Sequence, residues 1–174
     1  MNNIRQNLDL TKLVTVLIVA FYFIYCLSNE NWHIIDSVDL IIHEAGHWIF
    51  IFFGEFIQVL GGSLNQVLIP LIFSMYFLIK RDYYSASIVL IWFGYNLVNV
   101  SVYAGDAYYM RLPLLGGDGV IHDWNYILTK INLLDYYRAI AGILKSIGIF
   151  AIIFGVIGGC ATSRKTVDFG HSLC

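Results

Sequence analysis

The chain has 174 residues, enough for one domain, and carries ten Lys and Arg against twelve Asp and Glu for a net charge of −2. Hydrophobic residues make up 59% and charged residues only 13%, about half the roughly 25% of a soluble domain, so there are too few charges to coat a surface facing water and the chain belongs in a lipid bilayer. Nucleic acid is excluded as a partner because no basic surplus exists to meet its phosphates.

In chain order, Arg5 and Lys12 precede a first uncharged run, residues 13–29, which suits a spanning helix slightly under the usual ~20 residues. No small-residue cleavage site follows Cys26-Leu27-Ser28, so this run reads as a retained anchor rather than a signal peptide. After a polar turn with Trp32 and His33 at headgroup level, residues 34–60 form a second segment whose apolar background is interrupted by Asp36, Asp39, His43, Glu44, His47 and Glu55. Positions 36, 39, 43, 47, 50 and 54 share one helical face, which must turn to a protein interior because unpaired charge is costly in lipid. Small Ala45 and Gly46 admit close approach of another backbone. Gly61-Gly62-Ser63 reads as the end of this helix.

Residues 67–79, with Pro70 inside, are short for a crossing, so this third run must start earlier, tilt, or be re-entrant. If it is re-entrant, Lys80-Arg81 and Arg164-Lys165 join the N-terminus on the cytoplasmic side, which suits the positive-inside rule. Residues 83–105 are charge-free and give the clearest span, with Asn96 and Asn99 toward one end and Asp106 just beyond as walls of a wet cavity. A Gly-rich loop, 111–124, leads into an interfacial stretch, 125–138, and a last helix, 139–160. The expected architecture is an all-α integral membrane protein of four to five transmembrane helices with a Gly-rich loop before the last. Residues 1–160 form one helical domain and 161–174 a disordered tail. Its place is a multi-pass position in a membrane, the plasma membrane in a bacterium.

The chemistry is carried by His43-Glu44-Ala45-Gly46-His47. Residues four apart share a helix face, so both imidazoles reach one cation while Glu44 meets water bound to it. This spacing points to one Zn²⁺, which lowers the pKa of bound water to about 7, with Glu44 as the general base. A Glu between two His in hydrocarbon calls for such a ligand. A third protein ligand is expected from the late loop: His122 leads by residue type, with Asp123 and Asp118 as alternatives. Asp39 and Asp106 are candidates to orient a ligand from behind. Asp118 also suits a turn, and Asp123 a helix N-cap.

His43-Glu44-Ala45-Gly46-His47 in a membrane helix, followed far downstream by Leu112-Pro113-Leu114-Leu115-Gly116-Gly117-Asp118-Gly119, resembles the site-2-protease-like intramembrane zinc metalloproteases of the M50 class. In that family the Asp-Gly pair opens a transmembrane helix, whereas here His122-Asp123-Trp124 and an amphipathic stretch intervene. The resemblance implies a zinc metallopeptidase that cleaves a membrane-protein or peptide substrate within the bilayer. Two readings stay open beside it: a membrane zinc hydrolase acting on lipid or a small amphiphile, and a non-catalytic zinc-binding membrane protein.

Overall fold

The structure is a computed structural model that describes residues 6–29, 31–113 and 120–166. It is an all-α membrane bundle with one short ribbon. β1 (Gln6–Leu8) leads into α1 (Leu10–Ser28), then come α2 (Ile34–Ile49), α3 (Glu55–Ile79), α4 (Tyr83–Gly105), the short α5 (Asp123–Lys130), α6 (Tyr137–Thr162) and β2 (Arg164–Thr166). Among the described residues four helices, α1, α3, α4 and α6, are long and apolar enough to cross a membrane. Their outward faces carry Phe21, Phe73, Phe150 and Phe154, all exposed, as a lipid-facing surface requires.

The third run starts earlier than residue 67: α3 has 25 residues, about 37 Å at 1.5 Å per residue. The second segment is the one not among these candidate spans. α2 has 16 residues, about 24 Å, and begins beside the middle of α4, where Ile35 packs against a core of Phe23, Ile91, Tyr95 and Val98. It is held there by its own acids: the Tyr95 hydroxyl donates to Asp36, and Trp92 Nε1 donates to the buried Asp39 at 2.9 Å. α2 then runs outward, antiparallel to α3, and ends in a 3₁₀ turn, Ile51–Phe53.

The α2–α3 break therefore lies at Phe50–Gly54 and not at Gly61-Gly62-Ser63, which sit buried inside α3. Gly54 makes the break with a φ of +88°, a conformation that side chains disfavour. Gly61 serves packing instead: a Cβ there would stand 2.8 Å from the Gly46 carbonyl oxygen, so the two helices meet backbone to backbone. The residues after 160 begin ordered, because α6 reaches Thr162 and Leu8 pairs with Arg164 in the antiparallel ribbon β1–β2. The rest of the expected tail, from residue 167, and the Gly-rich 114–119 segment with Asp118 lie outside the described residues.

The start of α1, the α3–α4 turn and the end of α6 share one end of the bundle: Asp9 N–H donates to the Ser163 carbonyl at 3.0 Å and Tyr84 Oη to the Lys12 carbonyl at 3.0 Å. At the opposite end Tyr108 stacks on Tyr137, with ring centroids 5.7 Å apart. Along the α4–α6 seam, a Cβ at Gly94 would lie 2.5 Å from the Gly148 carbonyl oxygen. Gly94→Ala is expected to cost about 1–3 kcal/mol by overpacking this seam. Thermal unfolding of the purified protein in detergent measures it, and an unchanged midpoint would contradict the seam.

Candidate metal centre

His43 and His47 project from the inward face of α2 toward α3 and α5. His43 Nδ1 lies 3.2 Å from Gln66 Oε1, and Gln66 Nε2 donates to Asn99 Oδ1 at 3.1 Å, so the amide presents its oxygen to the imidazole. His47 Nδ1 lies 2.9 Å from the Gln58 carbonyl oxygen, which can only accept. Both neutral rings thus carry their proton on Nδ1 and turn the Nε2 lone pair inward. The two rings stand 5.0 Å apart, centroid to centroid. Ligand atoms of His43, Glu44 and His47 all lie within 4.8 Å of one another, a group able to hold a metal ion.

Both Nε2 atoms converge on Asp123: its Oδ2 is 2.9 Å from that of His43 and 3.3 Å from that of His47. Burial pushes the Asp123 carboxyl up, and where the imidazoles donate to it or carry a proton they outweigh that and hold it below the usual carboxylate range; with both protons on Nδ1 no such relief exists. An anion and two lone pairs facing one another in a buried place repel unless positive charge lies between them. Two ligand atoms about 2.1 Å from a shared tetrahedral ion stand about 3.4 Å apart, close to the separations here. The donor set therefore fits a small divalent cation. Space for it is kept by Gly62, where a Cβ would come within 2.5 Å of His43 Nε2 and 2.6 Å of His47 Nε2.

Asp123 owes its place to the docking of α5. Trp124 Nε1 donates to Ser63 Oγ at 3.0 Å, and Asn125 Nδ2 to the Ala107 carbonyl at 2.8 Å. Leu128 and Trp124 pack with Val100, Ala104 and Tyr137. The Asp123 N–H donates to the Tyr103 hydroxyl at 3.1 Å.

His122, expected to lead as third ligand, is turned away. It is the N-cap of α5, and its Nδ1 accepts from the Asn125 N–H at 3.2 Å. The remaining ring proton then sits on Nε2, which faces Asp106 Oδ2 at 3.4 Å. Neither nitrogen offers a lone pair to a metal. Burial lowers the affinity of His122 for a further proton, with the Asp106 carboxylate opposing. Asp106 holds the start of the loop instead of a ligand, accepting from the N–H groups of Arg111 at 2.7 Å and Leu112 at 2.8 Å. Asp39 likewise serves Trp92, and the groups behind the two histidines are Gln66 and the Gln58 carbonyl.

A cavity of about 240 Å³ opens over the pair, lined by Glu44, Tyr103, Val120 and Ile121 as well as His43, His47 and Asp123. Glu44 is exposed to it while His43 is buried beneath. The expected polar walls are elsewhere: Asn99 bonds Gln66, and Asn96 Nδ2 donates to the Trp92 carbonyl. Asn99, level with His43 through Gln66, stands six residues before the end of α4, about 9 Å at 1.5 Å per residue. The site therefore lies near one end of the bundle, not at its middle.

No family model, curated protein or solved structure matches the chain. Asp123→Ala is expected to abolish stoichiometric metal in the purified protein, whereas His122→Ala retains most of it; elemental analysis of both variants checks this, and the reverse result would transfer the third place to His122.

Proposed function

We propose that the chain is an intramembrane zinc metallopeptidase of the site-2-protease type, with His43, His47 and Asp123 as metal ligands and Glu44 as general base. The observation that carries the reading is the convergence of two imidazole lone pairs and a carboxylate beneath a cavity into which Glu44 opens. Three protein ligands leave a fourth position open, the pattern of a catalytic rather than a structural zinc. Zinc held there supplies Lewis acidity and a water that ionises near neutral pH.

The chain's own groups do the rest. Glu44, next to His43 in sequence and on the cavity wall, takes the proton of the attacking water and hands it to the departing amine. Tyr103 accepts the Asp123 N–H with its hydroxyl oxygen and keeps its own proton for another acceptor. Tyr103 lines the cavity, which makes its hydroxyl the donor available to the oxyanion that develops on the attacked carbonyl. Val120 and Ile121 line the cavity outside any helix, so their backbone can pair with an extended peptide. This feature favours a peptide over a lipid or small amphiphile. A transmembrane substrate must unwind near its end to enter.

The orientation follows from the placement of charge. Lys12, Lys80, Arg81 and Arg164 collect at the end of the bundle opposite the metal centre, against Arg111, Lys130 and Arg138 at its own end, a small excess. The positive-inside rule assigns that end to the cytoplasm, so cleavage falls in the outer part of the bilayer.

Glu44→Gln is expected to keep its metal and lose turnover by about 10²–10⁴-fold. Comparing membrane proteins of cells carrying either form reveals the substrate as fragments that vanish in the variant. Cleavage by metal-loaded Glu44→Gln, or an active form without stoichiometric zinc, would sink the assignment. Tyr103→Phe is expected to lower kcat by about 10²–10³-fold with little change in KM; a change confined to KM in assays on the substrate so identified would assign Tyr103 to binding instead.

A further inference from the structure

The end of the bundle remote from the metal centre holds a second, larger cavity, of about 430 Å³. Lys12, Arg81 and Arg164 line it, with Asp82 the one carboxylate among the lining residues and Tyr83 and Tyr84 beside them. The three cations come from three separate places in the chain, and each is fixed by its own element.

Lys12 sits in the first turn of α1, where Tyr84 Oη donates to its carbonyl at 3.0 Å and the Tyr84 ring lies 5.1 Å from its ammonium. Arg81 occupies the α3–α4 turn in a left-handed conformation, φ +59°, with its N–H bonded to the Leu78 carbonyl at 3.0 Å. Arg164 is placed by the β1–β2 ribbon, opposite Leu8. Asp82 is already engaged, its Oδ1 accepting from the Ser85 N–H at the start of α4 at 3.1 Å. The lining thus holds three cationic side chains and one carboxylate, and the backbones that carry them are each fixed by their own element.

The apolar spans α1, α3, α4 and α6 all end at this level, so the cavity lies at the depth of lipid headgroups. Leu10, Val14 and Ile79 stand exposed on the same helix ends, where an acyl chain can lie against them. Two arginines and a lysine around one pocket suit a phosphate oxygen cluster, and Arg in particular binds it through paired N–H donors. We propose that this cavity binds the phosphate of an anionic membrane lipid, seated with its headgroup among Lys12, Arg81 and Arg164. The lipid lies in the leaflet facing the basic end, which is the leaflet rich in anionic lipids where that end is cytoplasmic. The site is independent of the proposed peptidase activity.

The test uses the full chain purified in detergent and titrated with spin-labelled phosphatidylglycerol or phosphatidylcholine. Saturable binding of phosphatidylglycerol is expected, about tenfold tighter than that of phosphatidylcholine. The double variant Arg81→Gln/Arg164→Gln should erase the difference, and Arg81→Lys/Arg164→Lys should restore most of it, which separates charge from folding. Equal affinity for the two lipids, or a preference untouched by the double Gln variant, would overturn the proposal. So would complete displacement of phosphatidylglycerol by millimolar inorganic phosphate, which would make the ligand a free anion rather than a lipid.

Discussion

The site depends on the opposition of acceptors in a place where water is scarce. The proton of His47 is committed to the Gln58 carbonyl and that of His43 to Gln66, so both remaining lone pairs meet the carboxylate of Asp123. Interactions between charges and dipoles strengthen when water is excluded, and an unmatched acceptor becomes correspondingly expensive. A proton relieves the clash for one imidazole only. A divalent cation relieves it for all three groups together, which is why the arrangement argues for a metal more strongly than the spacing of two histidines does.

The remainder of the bundle can be understood as the means of holding that opposition in place. α2 carries both histidines and would drift without anchors, since its outward residues meet only lipid. Asp36 and Asp39 fix its inner end to Tyr95 and Trp92 of α4, and Gly46 against Gly61 fixes its outer half to α3. Each acid accepts from an aromatic donor, which offsets part of the cost of placing it inside the bundle. α5 contributes Asp123 from outside the spans, held by Trp124 on Ser63. Gly62 then decides the clearance: the same absent Cβ that lets α3 approach leaves room between the imidazoles and the carboxylate.

Much of this was legible in the sequence, and its limits have physical causes. Apolar run lengths mark α1, α4 and α6, and residues 83–105 are found as a helix with the same bounds, whereas α3 is cut short at residue 67 because its first turns carry Gln58, Ser63, Asn65 and Gln66. The polar face of α2 is visible from its periodicity. Gly61-Gly62-Ser63 reads as a helix end because glycine breaks helices in water, whereas against another membrane helix it permits contact; among the described glycines it is Gly54 that has a positive φ. His122 outranks Asp123 as a zinc ligand by residue type, but a lone pair can be spent once, and the Asn125 N–H takes it. Gln66 and Tyr103 carry no signal in sequence, because each acts through a partner 23 or 20 positions away that no local pattern reveals.

The bilayer explains why both candidate sites occur at helix ends. Within the hydrocarbon each backbone polar group must be satisfied by its own helix, so chain segments cannot converge on a ligand there without exposing unpaired groups. At the ends they can: Asp123 and Tyr103 meet α2 near one surface, and Lys12, Arg81 and Arg164 meet near the other. A histidine pair carried on a full crossing helix could lie at any depth, including one that water does not reach. By beginning beside the middle of α4 and stopping after 16 residues, α2 brings His43 within about 9 Å of the end of α4, the distance of six helical residues. The shortness of α2 thus matters to the site, since it puts the candidate metal centre inside the apolar bundle and still within reach of water.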